Sequence, residues 1–300
     1  MSQGLNTAQL ESFEQDGYLV VDDVLSSGDL TAIEGEYAQI LGRVTSDLVD
    51  LGRLEPLEGS TFGEKFVEAL PQLDDMYELY QHLDITLPLF NELPADAAMN
   101  AGPAVFGLLT MSKTLGHRRI GDRVRDLLQP GSAHTDKAPQ THLPEYVLDA
   151  NVAATLWHQD VAVVDHTAGS TNMLTVWLAV TEATIDNGCL VAVEGSHRRE
   201  ATLHCPGKVF PAEIYIPESI INHDLVRPLE VGAGGMILLN KLTEHGSFDN
   251  NSDNIRWSFD LRYQRTGEPT GRDVFPGFVA RSQTAPESVV GDPDEWANMW

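Results

Sequence analysis

The spacing of hydrophobic positions changes character near residue 150. Before that point apolar residues recur every three or four positions, and after it they alternate in short runs. Residues 6–16 read as a short amphipathic helix in which Leu10 and Phe13 share a face, Asn6 or Thr7 caps the start and Gly17 stands at the stop. Tyr18-Leu-Val-Val21 then reads as a buried strand, and Leu30, Ile33, Tyr37 and Leu41 mark a second helix from about Ser27 to Leu41. Residues 43–116 lean towards helix between breaks at Pro56, Pro71, Pro88, Pro94 and Pro103. The run RIGDRVRDLL at 119–128 predicts a further helix closed by Pro130-Gly131.

Beyond residue 150, short runs rich in β-branched and aromatic residues fall between Gly, Asn and Asp turns. Between Asn172 and Thr181, Leu174, Val176, Leu178 and Val180 share one face, and Met173, Thr175, Trp177 and Ala179 the other. Gly188–Val193, Val226–Val231, Gly235–Leu239 and Ile255–Tyr263 follow, and such evenly spaced short strands predict an antiparallel sandwich or barrel. In the last of them Ile255, Trp257, Phe259, Leu261 and Tyr263 alternate strictly with Arg256, Ser258, Asp260 and Arg262. Two arrangements fit this alternation. The polar face is wet, or the apolar face packs outward on helices and the polar face lines an interior cavity.

Charge and length then narrow the function. The chain has 300 residues, enough for one large domain or two small ones, and a formal net charge of −26. An excess of acid argues against nucleic acid or an anionic membrane as partner, since both need a basic face. It does not exclude an anionic small molecule, because a few arginines inside a pocket set the local field. Two cysteines, Cys189 and Cys205, make no disulfide framework and fit a reduced interior. The N-terminus carries no leader pattern, and the longest apolar runs, such as Val176-Trp-Leu-Ala-Val180, fall far short of the ~18 residues a membrane span needs. A soluble, cytoplasmic protein is expected.

Candidate chemistry sits in the second half. In Trp157-His-Gln-Asp160 an imidazole and a carboxylate lie two residues apart, on one side of an extended strand. His245 follows 87 residues later, just after an expected strand. Two His and one carboxylate on one face of an octahedron leave adjacent positions open, which suits non-haem Fe(II) oxygen chemistry. Arg256, eleven residues past His245 and on the polar face of its strand, is placed to bind a carboxylate. Arg262 is six residues further, roughly 20 Å along an extended strand, so the two arginines are not expected to serve one small ligand.

These residues carry a family resemblance. Trp157-His-Gln-Asp160, Asp186-Asn-Gly-Cys-Leu-Val-Ala-Val-Glu-Gly-Ser-His197, His245-Gly-Ser247 with Arg256 and Arg262-Tyr263, the opening EQDGYLVVDDVLSS and the closing Gly271–Arg281 resemble the phytanoyl-CoA dioxygenase family of Fe(II)/2-oxoglutarate-dependent oxygenases. The match spans residues 11–281, with no recognisable motif at 43–150 and with Glu194 where many relatives carry proline. The resemblance implies a mainly β fold with flanking helices and a double-stranded β-helix (jelly-roll, cupin-like) core. In that layout residues 1–300 are one domain, with a largely helical part at 1–150, the core at 151–265 and a C-terminal extension at 266–300. It implies His158, Asp160 and His245 as iron ligands and Arg256 as the partner of the distal carboxylate of 2-oxoglutarate, assisted by the Ser247 hydroxyl. Thr175 and Trp177 would line the cavity beside the iron. Lys137 resembles an upstream lysine of relatives at looser spacing, and a solvated loop residue is the plainer reading. Cofactors would be Fe(II), 2-oxoglutarate and O2, with ascorbate as a reductant.

An aspartate at 160, where halogenating relatives carry a small residue, favours oxygen insertion, desaturation or ring formation on a small or medium metabolite, such as a natural-product intermediate. An acyl-CoA 2-hydroxylase is the alternative within the family; its CoA phosphates would need a basic mouth, for which the run from Lys113 to Arg125 is the candidate. A cupin-type non-redox metal enzyme and a non-catalytic binding protein are the rivals from other classes. His197 reads as a satisfied turn histidine, and His166, His204 and His223 are assigned no role. Trp296 and Trp300, in a short helix capped by Asp292 with Pro293 at its first position, would pin that helix to the body or to the second subunit of a homodimer.

Overall fold

The computed structural model describes residues 5–73, 79, 104, 107, 118–120, 125–129, 155–206, 214–271 and 277–299, with 118–120 and 125–129 described by backbone alone. Helix α1 (Thr7–Asp16) starts where Asn6 and Gln9 cap each other reciprocally and stops at Gly17, whose φ of 84° is left-handed. A side chain at Gly17 would also strike His197 and Thr243. Strand β1 (Tyr18–Val21) follows, with Leu19 its buried residue.

Helix α2 (Ser27–Asp50) begins on a capping box between Ser26 and Asp29 and continues nine residues beyond the expected end at Leu41. Thr45 is buried in that extension with its hydroxyl on the Leu41 carbonyl, and Leu48 continues the apolar stripe. Helix α3 (Phe62–Ala69) starts from Thr61, with the Glu64 carboxylate accepting from the backbone of Ser60 and Thr61 and from the Ser60 hydroxyl. Helix α4 (Pro293–Ala297) is capped by Asp292 as expected. Its Trp296 is buried against Phe278, ring centroids 5.0 Å apart, which pins the helix to the body; Trp300 lies outside the described residues. Among the described residues, no helix is long and apolar enough to cross a membrane.

Strands β2 (Arg118–Ile120), β3 (Arg125–Gln129), β4 (Leu174–Ala179), β5 (Leu190–Val193), β6 (Cys205–Pro206), β7 (Ile214–Tyr215), β8 (Val226–Leu229), β9 (Met236–Asn240), β10 (His245–Ser247), β11 (Arg256–Gln264) and β12 (Phe278–Arg281) complete the element order. The main sheet runs β1-β9-β4-β11-β2-β12, with β3 also on β11; β10-β5-β8 form a second sheet and β6-β7 a ribbon. All named pairs are antiparallel. This is the expected mainly β, jelly-roll architecture.

Within the stretch 119–128 expected as a helix, the described residues form strands instead. Residues 119–120 fall in β2 and 125–128 in β3, which pair with β11 along the edge that β4 leaves open: Arg125 opposes Asp260, Gln129 opposes Arg256, and Ile120 opposes Tyr263. The backbone N–H and C=O groups of that long strand need partners, and this demand outweighs a weak helical preference.

The outward-packing arrangement of β11 is the one the structure adopts. Trp257, Phe259, Leu261 and Tyr263 join Val176, Leu178 and Val180 of β4 and Met236 and Leu238 of β9 in one core, closed by Ile33, Tyr37, Leu41, Phe62 and Phe66 of α2 and α3. Trp257 meets Phe62 at 4.6 Å and Tyr37 at 4.9 Å between ring centroids. Between the sheets lies a second core of Trp177, Ala179, Cys189, Leu190, Ala192, Ile237 and Leu239. Arg256 and Ser258 face this interior and are buried.

The Glu64 cap is a stability element with a defined acid limit. Its hydrogen bonds from Ser60, by side chain and then backbone, lower the carboxyl from 4.5 to about 2, so its contribution is fully present above about pH 4.5 and lost as pH falls through about 2. Glu64→Gln should therefore flatten the acid limb of a urea-denaturation series over that window; an unchanged limb would place the acid sensitivity elsewhere.

Candidate active site

His158 and His245 face each other as an antiparallel bridge outside the main ladders. Each backbone N–H donates to the other's carbonyl, at 2.8 and 2.9 Å, and the ring centroids are 4.2 Å apart. Gly246 permits this approach, since a β-carbon there would come within 2.9 Å of the Thr155 carbonyl. Asp160, with no solvent exposure, completes the group. One ligand atom from each of His158, Asp160 and His245 lies within 4.8 Å of the other two.

Backbone carbonyls fix the tautomer of both imidazoles. His158 Nδ1 lies 2.8 Å from the Leu156 carbonyl and His245 Nδ1 3.0 Å from that of Thr243. A carbonyl only accepts, so each Nδ1 carries a proton and Nε2 is the nitrogen left to a metal, the usual arrangement for a metal-binding histidine. Burial, then the neighbouring His245, push His158 down to about 3, and the ring is neutral at pH 7. Burial alone would raise the Asp160 carboxyl. The Arg262 guanidinium, the two imidazoles and the Thr175 hydroxyl outweigh it and hold the group below the usual carboxylate range.

β4 and β11 deliver those last two partners from opposed positions, Arg262 standing across from Thr175 in the ladder. Arg262 Nη2 is 2.7 Å from Asp160 Oδ1, and Thr175 Oγ1 donates to Oδ2 at 2.5 Å. Arg262 also reaches Asp260 at 3.1 Å. Sequence reasoning kept Arg262 off the ligand that Arg256 would bind and gave it no partner. A strand's period of two places Arg262 on the Arg256 face, but that its partner would be Asp160, 102 residues earlier, is tertiary information.

Arg256 is buried on the same inner wall, its guanidinium carbon 5.2 Å from the centre of the Trp177 ring and Nη1 donating to Ser258 Oγ at 3.1 Å. A hydroxyl bonded to Arg256 is thus that of Ser258, and Ser247 Oγ accepts from the Thr155 N–H at 2.7 Å and ties the His245 strand to the segment before His158. Trp177 Nε1 is buried without a hydrogen-bond partner among the described residues. Lys137 lies outside the described residues. His197 turns away from the metal group and meets the Glu14 carbonyl at 3.1 Å, with its Nδ1 unpartnered among the described residues. Glu194, in place of the relatives' proline, pairs with Arg227 at 2.9 Å. His166 and His223 pair with Asp165 and Glu218 on the surface. His204, given no role by its loop position, is bonded to the backbone of Gln159, between the two motif residues.

The donor set is two imidazoles and one ionised carboxylate, a combination suited to a divalent first-row metal such as Fe(II). On the same inner face of the sheet lie a buried cation, Arg256, and a buried indole N–H with no partner among the described residues, which suit an anionic co-substrate.

The sequence profile of phytanoyl-CoA dioxygenase (PhyH) matches residues 13–258. The chain belongs to this family. Phytanoyl-CoA dioxygenase domain-containing protein 1 of Bos taurus is 24% identical over 275 residues, which cover 85% of this chain and 88% of the relative. Its Caenorhabditis briggsae homolog is 22% identical over 269 residues, 84% and 88% of the two chains. Among solved structures, EvdO2 of Micromonospora carbonacea var. aurantiaca, complexed with 2-oxoglutarate, superposes with a TM-score of 0.52 at 15% identity over 89% of this chain and 93% of that one. The non-haem monooxygenase ThoJ superposes at 0.51 and 16% identity, over 94% and 86%. With the family comes the class of activity: this PhyH protein is a non-haem, 2-oxoglutarate-dependent iron oxygenase.

Arg262 neutralises a carboxylate that is fully buried. Arg262→Met should cost the metal-free protein about 3–5 kcal/mol, the scale of breaking a buried ion pair, and Co(II) should raise the melting temperature of the variant more than that of the wild type. Equal Co(II) shifts would mean that the pair carries no charge the metal can replace.

Proposed function

We propose that the chain hydroxylates, desaturates or cyclises a small to medium organic metabolite, of natural-product-intermediate character, with release of succinate and CO2. The observation that carries this reading is the convergence of His158, Asp160 and His245 within 4.8 Å, with a buried Arg256 on the same inner face of the sheet as Arg262 and Thr175, the partners of Asp160. His158 and His245 hold Fe(II) through Nε2 and Asp160 holds it through its carboxylate. Arg256 binds the distal carboxylate of 2-oxoglutarate, with Ser258 fixing the guanidinium and Trp177 offering the indole N–H. That EvdO2 takes 2-oxoglutarate on a similar fold supports the assignment.

Iron and 2-oxoglutarate supply dioxygen activation when bound there. The chain's own part is placement and exclusion. Thr175 and Arg262 fix both oxygens of Asp160, so the carboxylate keeps one orientation and stays ionised. The Leu156 and Thr243 carbonyls keep protons on Nδ1 and off the metal-facing nitrogens. The apolar wall of Ala179, Ala192, Ile237 and Leu239 excludes water on the Trp177 side. Ion pairing in that dry setting is stronger than on the surface.

Anaerobic titration of the metal-free protein with Fe(II) and then 2-oxoglutarate tests the reading. A weak visible charge-transfer band should appear, and succinate release in air should then report turnover of candidate metabolites. Metal binding without the band would overturn the oxygenase chemistry at this site. Arg256→Ala should raise the 2-oxoglutarate requirement about a hundredfold, the scale of losing ~3 kcal/mol in a charge-assisted contact; a normal requirement would move the carboxylate partner elsewhere.

A further inference from the structure

Gln159 lies between two proposed metal ligands, has no solvent exposure, and makes three hydrogen bonds through its side chain and backbone N–H. Its Nε2 donates to the Leu242 carbonyl at 2.7 Å, its Oε1 accepts from the Thr202 N–H at 2.7 Å, and its backbone N–H donates to His204 Nε2 at 3.0 Å. His204 Nδ1 in turn donates to the Thr202 carbonyl at 2.7 Å, so the ring is neutral and of one tautomer. A segment of three residues, Thr202 to His204, thus grips Gln159 by both side chain and backbone.

The same segment reaches the other ligand strand. Thr202 Oγ1 donates to Glu244 Oε1 at 2.5 Å, and Glu244, 2% exposed, immediately precedes His245. Arg199 Nη2 takes the second carboxylate oxygen at 3.0 Å. The Glu244 backbone is held as well, its N–H donating to Ser196 Oγ at 2.9 Å and its carbonyl accepting from Val193 at 2.9 Å.

We propose that Thr202 is a positioning residue, the link of a buried brace Glu244–Thr202–Gln159–His204 that sets the separation of His158 and His245. The brace rests on the reading of those histidines as metal ligands. None of its four residues belongs to the metal group: Gln159 and Glu244 are adjacent in sequence to ligands, and Thr202 and His204 act on them. Backbone bonds hold the two ligand strands together at the His158–His245 bridge, at Ser247–Thr155 on one side and at Val161–Lys241 on the other. The brace adds side-chain ties at the residues next to the two histidines, because Gln159 and Glu244 are both bonded to one short segment. Ordering the ligands before metal arrives removes a cost that binding would otherwise meet.

The test is titration of the metal-free, full-length protein with Co(II), followed by Fe(II) with 2-oxoglutarate under anaerobic conditions. Thr202→Val deletes the hydroxyl and keeps the backbone bond to Gln159. It should weaken Co(II) binding about ten- to a hundredfold, the range for residues that orient metal ligands, and Thr202→Ser should restore it. A lowered melting temperature with wild-type Co(II) affinity would show a structural role only and overturn the proposal. If Thr202→Val does not fold, Arg199→Met, which opens only the exposed half of the Glu244 clamp, is titrated in the same way, and undiminished affinity there also overturns it. A wild-type protein that binds Co(II) but gives no band with Fe(II) and 2-oxoglutarate would sink the oxygenase reading and leave the brace to stand on its Co(II) result. A wild-type protein that binds neither metal would sink both.

Discussion

A carboxylate shut away from water must find charge and hydrogen bonds, and Asp160 is the constraint on which the rest of this molecule depends. Desolvating an ion costs several kcal/mol, recovered only where geometry is good and the remaining lone pairs are used. Arg262 from β11 and Thr175 from β4 meet those conditions, and they do so because the two strands are paired in a register that sets them opposite each other. A slip of β11 by one residue would turn Arg262 away from Asp160 and carry Trp257 and Phe259 into the interior. Register, the outer core and the charge of the site are therefore fixed together.

The main sheet separates two tasks by its two faces. Its outer face is held to α2 and α3 by an aromatic cluster around Trp257, which supplies burial and rigidity. Its inner face carries Arg256, Ser258, Thr175 and Trp177, groups that a core built only for stability would not bury. The inner groups keep their positions because the outer side chains are packed against helices.

Much of this was legible in the sequence, and the reasons differ by element. The caps at Asn6 and Gly17 are local chemistry, and so were readable. The alternation in β11 announced a two-faced strand and left open which face was wet; only the helices packed on Trp257 decide that. The histidines and Asp160 were visible as a spacing that a family shares. Residues 119–128 misled because their pattern suited a helix while the open edge of β11 demanded strands. The Ser247 hydroxyl was expected to assist Arg256; it accepts from the Thr155 N–H, and Ser258, two residues along the strand, accepts from Arg256. Arg262 and His204 illustrate the limit of spacing arguments. Their partners, Asp160 and Gln159, are 102 and 45 residues away, and no local rule joins them.

The His158–His245 bridge has a consequence for how the chain reaches its native state. Neighbouring the bridge, Thr155 bonds Ser247 across 92 residues, so the pocket closes only when long loops close, and such contacts form slowly. No fragment containing one histidine alone holds the site, and during synthesis the imidazole and carboxylate of 158 and 160 wait for most of the jelly roll to emerge. Metal capture is thereby a late event, open only to chains whose strands have already found their partners.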